Sequence, residues 1–257
     1  MKRIIFLILI LVPCVLSAQT RAGSTVAYAV DPDIIMVAAP DIICHKGLFG
    51  AAAGLQVYHE FNVDSLIIWA ADQQKDFDSR AALLKDTIRK VCQKFFRDII
   101  KDEGFSDHFD PSNGVVAEVL VWSATNRKLR YAHLGLLANQ MGQEWRIHAV
   151  TLDADSSLPS RGFASNMMGI SDSAQTFKRG FLSSDLIYKK IMSDPNFQVE
   201  GNHKFDLSPQ ENRLYYLVYV ETKRHPGSVR MPIEAVQTSG KGQVAWLYNP
   251  LKCSCSQ

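Results

Sequence analysis

The chain has 257 residues, of which 47% are apolar and 21% charged, and its 28 basic and 26 acidic side chains leave a formal net charge of +2. This composition supports a sizeable hydrophobic core and excludes the fibrous and intrinsically disordered classes. The charges are spread along the sequence, so no basic patch indicates a nucleic acid or an anionic lipid as partner. We therefore expect a globular protein that does not bind nucleic acid.

The first 18 residues have the order of a secretory signal peptide. Two basic residues precede an apolar stretch from Ile4 to Val12, and small residues follow just before Gln19. The apolar stretch is shorter than the ~20 residues that a membrane-spanning helix needs. The sequence therefore predicts cleavage after Ala18, a periplasmic or secreted location and no integral membrane segment in the mature chain. Residues 19–257 are predicted to form a single α+β domain.

Four cysteines remain once the predicted signal peptide and Cys14 are removed: Cys44, Cys92, Cys253 and Cys255. An even number of cysteines in an oxidising compartment indicates disulfides, and four cysteines permit three pairings that the sequence does not distinguish. The Cys-Ser-Cys tail lacks the Cys-x-x-Cys spacing of structural zinc sites, so a metal is not expected. A disulfide that ties the C-terminus to the body of the protein is the favoured interpretation.

In the first half of the chain, the pattern predicts a polar linker over 19–30, a short strand over 34–39 and a helix that begins near Cys44 and runs through 48–61. Three glycines weaken that helix. A longer helix is predicted from Ser79 to Asp102, because apolar residues recur three and four positions apart along it. Its charged face is interpreted as a solvent-exposed surface.

The second half of the chain is predicted to be rich in strands. A meander of three strands is predicted over 115–123, 128–138 and 144–152. A loop over 158–173 and a helix over 182–192 follow. Three further strands are predicted over 214–222, 229–237 and 243–248. Helices first and strands later, without βαβ alternation, indicate an α+β protein whose N-terminal helices pack on an antiparallel sheet.

One segment suggests chemistry. The sequence RYAHLGLLAN, residues 130–139, is followed after a short turn by WRIHA, residues 145–149. This segment resembles the paired strands of the NlpC-type papain-like cell-wall peptidases and their permuted, lecithin-retinol-acyltransferase-like relatives. In the resemblance His133 matches the general base and His148 the residue that orients it. The resemblance implies a papain-like core that hydrolyses an amide bond in peptidoglycan or another envelope peptide, without a cofactor.

A nucleophile has to accompany these histidines, because a thiol becomes reactive near neutral pH only where an imidazole or a helix N-terminus favours the thiolate. In the unpermuted order of the family the matching residue is Cys44, although its neighbours Ile43 and His45 depart from the usual pattern. In the permuted order the matching residue is Ser183. The alternative is a non-catalytic binding protein with structural cysteines, in which both histidines are ordinary strand residues, or a degenerate member of the same fold.

Overall fold

The computed structural model describes residues 20–73, 75–125, 127–155, 164–169 and 210–248. Two five-stranded antiparallel sheets form its centre. The first sheet contains, from edge to edge, β10 (Ala164–Gly169), β1 (Thr25–Val30), β2 (Ile34–Ala39), β11 (Glu234–Ser239) and β12 (Val244–Tyr248). The second sheet contains β3 (Ile43–His45), β4 (Leu48–Gly54), β7 (Val115–Thr125), β8 (Lys128–Met141) and β9 (Glu144–Ala154). A small hairpin is formed by β5 (Val57–Tyr58) and β6 (Phe61–Asn62).

Four helices are described: α1 (Val63–Asp72), α2 (Phe77–Ile99), α3 (Glu103–Ser106) and α4 (Gln210–Arg224). The first two pack on the outer face of the second sheet, and α4 packs on the outer face of the first. The inner faces of the sheets meet in a separate cluster that includes Tyr28, Val37, Phe49 and Trp122. The order of layers is therefore helix, sheet, sheet, helix.

Strand β1 shows why the centre of the molecule is built from short apolar runs. Val26 and Tyr28 pack between the sheets, whereas Ala27 and Ala29 pack toward α4. Side chains of a strand alternate between its faces, so a strand covered on both sides is apolar throughout. Because β1 lies between the second sheet and α4, the residues just before it reach one end of the interface between the sheets.

The predicted α+β class, the predominantly antiparallel sheets and the helices packed on them are confirmed. Helix α2 occurs close to its predicted position, although its N-cap is Asp76, whose side chain accepts a hydrogen bond from the Ser79 N–H. The three-strand meander is also confirmed as β7, β8 and β9, and the predicted strand over 34–39 is β2. The strand predicted over 243–248 is β12, and part of the one predicted over 229–237 is β11.

Three predictions in the first and middle parts of the chain are wrong. The helix predicted from Cys44 to Phe61 is the β3–β4 hairpin followed by β5 and β6. The small residues of β4 let α1 approach closely, since a Cβ at Gly50 would lie 2.7 Å from Ile67. The predicted linker contains β1, and the predicted loop contains β10. Short Ala- and Gly-rich segments show no clear periodicity, and tertiary pairing decides their structure.

The strand predicted over 214–222 is wrong as well, because this segment belongs to helix α4. All residues from Leu214 to Val220 are buried, in the cluster that α4 forms with the first sheet. An apolar run buried on all sides gives the same pattern in a helix as in a strand. The helix predicted over 182–192 lies outside the described residues.

Candidate active site

Of the two candidate nucleophiles, only Cys44 lies among the described residues, and it is disulfide-bonded. Cys92 is free and buried in α2, so it is not the partner of Cys44. Burial raises the pKa of the Cys92 thiol to about 12, which makes it an inert core residue. A disulfide at Cys44 leaves no thiolate there to act as a nucleophile. Ser183, Cys14, Cys253 and Cys255 lie outside the described residues.

The two candidate histidines are far apart. His133 is only 2% exposed and lies between the sheets, whereas His148 is exposed on the edge strand β9. His148 pairs with Leu137, four residues along β8 from His133. At ~3.4 Å per residue, this separation is about 14 Å along the strand. The structure therefore does not bring the two rings into one constellation.

His133 instead belongs to a buried chain of hydrogen bonds that links the sheets. Its Nδ1 atom lies 3.1 Å from the Tyr28 hydroxyl, and its Nε2 atom lies 3.1 Å from Oε1 of Glu118. The side-chain amide of Asn166 donates to the same hydroxyl over 3.3 Å. Burial raises the pKa of Tyr28, so its hydroxyl stays protonated. The whole chain is satisfied when His133 carries its proton on Nε2 and donates it to Glu118.

Glu118 connects this chain to a cleft of about 560 Å³ at one end of the interface between the sheets. Its side chain is 15% exposed, and its Oε2 atom accepts the Gly169 N–H over 2.7 Å. The polar side chains that line the cleft are Asp107, His108, Asp110, Asn113, Glu118 and His225. The lining of this cleft, as far as the structure describes it, contains carboxylates and imidazoles and neither Lys nor Arg.

The chain enters β1 through this cleft in an unusual backbone conformation. Ser24 has φ +74° and is 6% exposed, and Gly23 before it has φ +96°. A residue with a side chain in this region is strained by about 1 kcal/mol or more unless its surroundings hold it there. The Ser24 N–H donates to the Ser228 carbonyl over 3.0 Å, and the Gly23 carbonyl accepts the Gly54 N–H over 2.7 Å. Both sides of the Gly23–Ser24 peptide are thus held by backbone groups distant in sequence.

Gly54 is the residue that makes this arrangement possible. It has φ +75°, and a Cβ placed on it would lie 2.6 Å from the Val116 carbonyl oxygen. Only glycine fits this position, and its close approach to β7 aims the N–H at Gly23. A backbone N–H held against a carbonyl oxygen is the donor that stabilises an oxyanion when that carbonyl is attacked.

Ser24 immediately precedes β1, whose first residue, Thr25, is fully buried. Gly169 lies so close to the Ser24 carbonyl that a side chain on it would collide, and this same glycine donates to Glu118. Gly23, Gly54, Glu118 and Gly169 line the cleft, and the Ser24 carbonyl packs against Gly169.

The sequence interpretation did not identify this group. Gly23-Ser24-Thr25 before an apolar strand was the one local signal, and it fell in the segment predicted to be a linker. The partners Gly54 and Glu118 are 30 or more positions away, so no spacing motif joins them to Ser24.

His148 lies in a different place, an open groove of about 910 Å³ between β9 and α2. The Gln93 side chain spans this groove, where it accepts the Ile147 N–H over 2.6 Å and donates to the Trp145 carbonyl over 3.2 Å. Gln93 thereby takes the place of a neighbouring strand on part of the β9 edge.

The chain matches no protein-family model, and no curated protein is significantly similar to it. Among the described helices, none has the length and apolar character required to cross a membrane. No group of three or more His, Cys, Asp or Glu side chains in the described ranges is placed to hold a metal ion.

Proposed function

We propose that this protein is a self-processing amide hydrolase whose nucleophile is Ser24. The supporting observation is the peptide between Gly23 and Ser24. Its carbonyl faces the Gly54 N–H at 2.7 Å, and the following residue is a serine held at φ +74°. Backbone strain at the residue that follows the bond and a prepositioned donor at the carbonyl oxygen are two features that lower the barrier to attack.

The first step is an attack by the Ser24 hydroxyl on the carbonyl carbon of Gly23. The new C–O bond closes a five-membered ring, and the developing negative charge on the carbonyl oxygen is stabilised by the Gly54 N–H. The C–N bond then breaks, and the proton from Oγ ends on the nitrogen, which leaves an ester and a free α-amine. Water hydrolyses the ester, so residues up to Gly23 depart as a carboxylic acid and Ser24 becomes the N-terminus.

The processed protein then has the parts of an amide hydrolase. The Ser24 α-amine, with an ordinary pKa of about 7.7, accepts the proton from its own hydroxyl, as in hydrolases that pair a hydroxyl nucleophile with the N-terminal amine. The Ser228 carbonyl, which accepts the Ser24 N–H in the unprocessed chain, orients that amine. The Gly54 N–H is freed to hold the oxygen of a substrate carbonyl. The substrate amine leaves with the proton, and water releases the acyl group.

Glu118 and His133 act in this proposal as positioning residues. Glu118 holds the Gly169 N–H, and Gly169 packs against the Ser24 carbonyl. His133 and Tyr28 in turn fix Glu118 from the interior. Since each group in the chain is hydrogen-bonded, the buried polar atoms rigidify this end of the cleft.

The proposed location and substrate class come from the sequence analysis. We propose that the protein is exported and acts on peptidoglycan peptide or another envelope peptide, as the predicted signal peptide and the segment at 130–149 suggest. A relationship to the NlpC-type peptidases, with a papain-like core, stays a hypothesis from that segment. The proposal does not use its Cys/His mechanism, because the Cys44 sulfur is in a disulfide.

The second candidate function is a non-catalytic exported binding protein. The disulfide at Cys44 and the inert thiol at Cys92 favour this function, because both cysteines are then structural. In that case the peptide between Gly23 and Ser24 stays intact.

Intact mass and N-terminal sequencing of the exported protein test the proposal. We expect the wild type to begin at Ser24, Ser24→Cys to be cleaved at the same bond, and Ser24→Gly to retain residues 19–23. Glycine is the matched variant, because it adopts φ +74° without strain and lacks only the hydroxyl. Ser112→Ala, on an exposed turn beside the cleft, is the control and is expected to be processed normally. A wild type that keeps Gly23, or a Ser24→Gly variant cleaved after Gly23, would overturn the proposal.

A further inference from the structure

Residues 20–23, which we call the arm, lie on the body of the protein as a bound peptide does. The Arg21 N–H donates to the Val57 carbonyl over 2.9 Å, and the Arg21 carbonyl accepts N–H groups from Gln56 and Val57 over 2.8 and 3.1 Å. Arg21 thus pairs antiparallel with Val57. Backbone pairing of this kind is how an extended peptide adds to an exposed strand edge. The arm continues from this edge to the Gly23 carbonyl beside Gly54.

The Arg21 side chain occupies an acidic notch. Its Nη2 atom lies 2.8 Å from Oδ2 of Asp64, and its Nη1 atom lies 3.7 Å from Oδ2 of Asp41. The guanidinium and the Asp64 carboxylate are largely buried, with 20% and 24% of their side chains exposed. A charge-assisted bond of this geometry is stronger than one on an open surface. Desolvation raises the pKa of Asp64, and Arg21 acts against that rise.

Self-cleavage after Gly23 separates the arm from the body and empties both features at once. The strand edge at Val57 loses its partner, and Asp64 loses its cation. The Asp64 and Asp41 carboxylates that held Arg21 then accept another cationic group that reaches the notch.

We propose that the emptied arm site is the acyl-side substrate groove of the hydrolase and that it selects peptides with Arg or Lys two residues before a glycine at the cleaved bond. This inference rests on the proposed function, since the groove becomes free only after self-cleavage. The spacing is that of Arg21 and Gly23 in the arm. Glycine is required because the acyl residue takes φ +96° beside Gly54. The cleft that Ala22 and Gly23 line also contains the carboxylates of Asp107, Asp110 and Glu118, which favour cationic substrates.

Peptide substrates with one variable position test this groove on wild-type protein shown to begin at Ser24. We would measure kcat/KM for Arg-Ala-Gly, Gln-Ala-Gly and Glu-Ala-Gly peptides, each with a fluorogenic amine on the glycine carboxyl. The Arg peptide is expected to exceed the Gln peptide by ~10-fold or more and the Glu peptide by a larger factor, as the loss of a partly buried ionic bond predicts. In Asp64→Asn the preference for Arg over Gln is expected to fall below ~3-fold. Asp72→Asn, at the exposed end of the same helix, should keep it.

The second measurement is inhibition by the arm peptide. It uses only wild-type protein, so it does not require that Asp64→Asn is processed. The free peptide Gln-Thr-Arg-Ala-Gly, which is the arm preceded by Gln19, is expected to inhibit the processed wild type ~10-fold more strongly than Gln-Thr-Gln-Ala-Gly. A processed enzyme that hydrolyses these substrates without preference for Arg, or binds both arm peptides equally, overturns this inference and leaves the proposed function standing. A wild type that keeps Gly23 overturns both. Processed protein that cleaves none of the three substrates and does not distinguish the arm peptides overturns the groove.

Discussion

The two buried layers of the second sheet differ in chemistry. The layer under α1 and α2 is built from apolar side chains such as Leu84, Ile88 and Phe96. The layer between the sheets also contains aliphatic and aromatic residues, but at its cleft end it buries Tyr28 and His133 beside Glu118. Burying polar groups costs free energy unless each finds a partner. Polar residues collected in one buried place therefore indicate a functional role more than a contribution to stability. The helix-covered layer stabilises the fold, and the cleft end of the other layer carries the proposed chemistry.

The largest expected effect comes from the apolar layer. Leu84 is fully buried, and Leu84→Ala is expected to lower the free energy of unfolding by about 3 kcal/mol through lost burial and a cavity. Leu83→Ala, one position away and only partly buried, is the matched control and should cost less than half as much. Urea denaturation measures both. Cleavage after Gly23 should proceed normally in the folded fraction, and a folded Leu84→Ala protein that is not processed would break the proposed separation between the layers.

A smaller loss of stability, now accompanied by a loss of processing, is expected from the polar chain. His133→Leu leaves the Tyr28 hydroxyl and Oε1 of Glu118 without their partner, which is expected to cost about 2 kcal/mol. The same change should slow cleavage after Gly23, because Glu118 loses its support. His148→Leu is the control at the other candidate histidine and should change neither quantity. Equal effects of the two variants, measured by denaturation and by intact mass over time, would contradict the assignment.

An effect that is expected only at high pH concerns a buried acid at the start of β11. Burial raises the pKa of Glu234 to about 7, while the Ile42 N–H donates to its Oε2 atom over 2.8 Å. A carboxyl whose folded-state pKa is raised contributes stability below its unfolded pKa, near ~4.3, and loses that contribution as the pH rises through 7. Glu234→Gln keeps an acceptor oxygen without the charge. Its unfolding free energy relative to wild type should therefore be higher at pH 8 than at pH 4.

Glu60→Gln is the control for this pH dependence, because Glu60 is an exposed partner of Lys94. A Glu234→Gln variant whose relative stability is the same at both pH values would show that the pKa of this carboxyl is not raised in the folded protein. Processing after Gly23 should be unaffected in either variant, since Glu234 does not line the cleft.

Local patterns predicted the parts of the fold in which one face is apolar and the other polar. Helix α2 repeats its buried residues every three or four positions, and the hairpin that joins β8 to β9 has a clear turn. Where a segment is buried on all sides, as in α4, the periodicity is lost and the sequence predicted the wrong element. The prediction of a helix at β4 was wrong for a similar reason, since the close approach of α1 decides the conformation of its small residues.

The candidate site was likewise only partly predictable from the sequence. From the sequence alone we identified His133 as a residue of interest, and we predicted an α+β class and an export signal at residues 1–18. Only the tertiary structure separated His133 from His148, placed Cys44 in a disulfide and brought Gly54 to the Gly23 carbonyl. The physical reason is range: periodicity and capping act over a few residues, whereas a strained peptide is held by backbone groups that meet only when two sheets pack together.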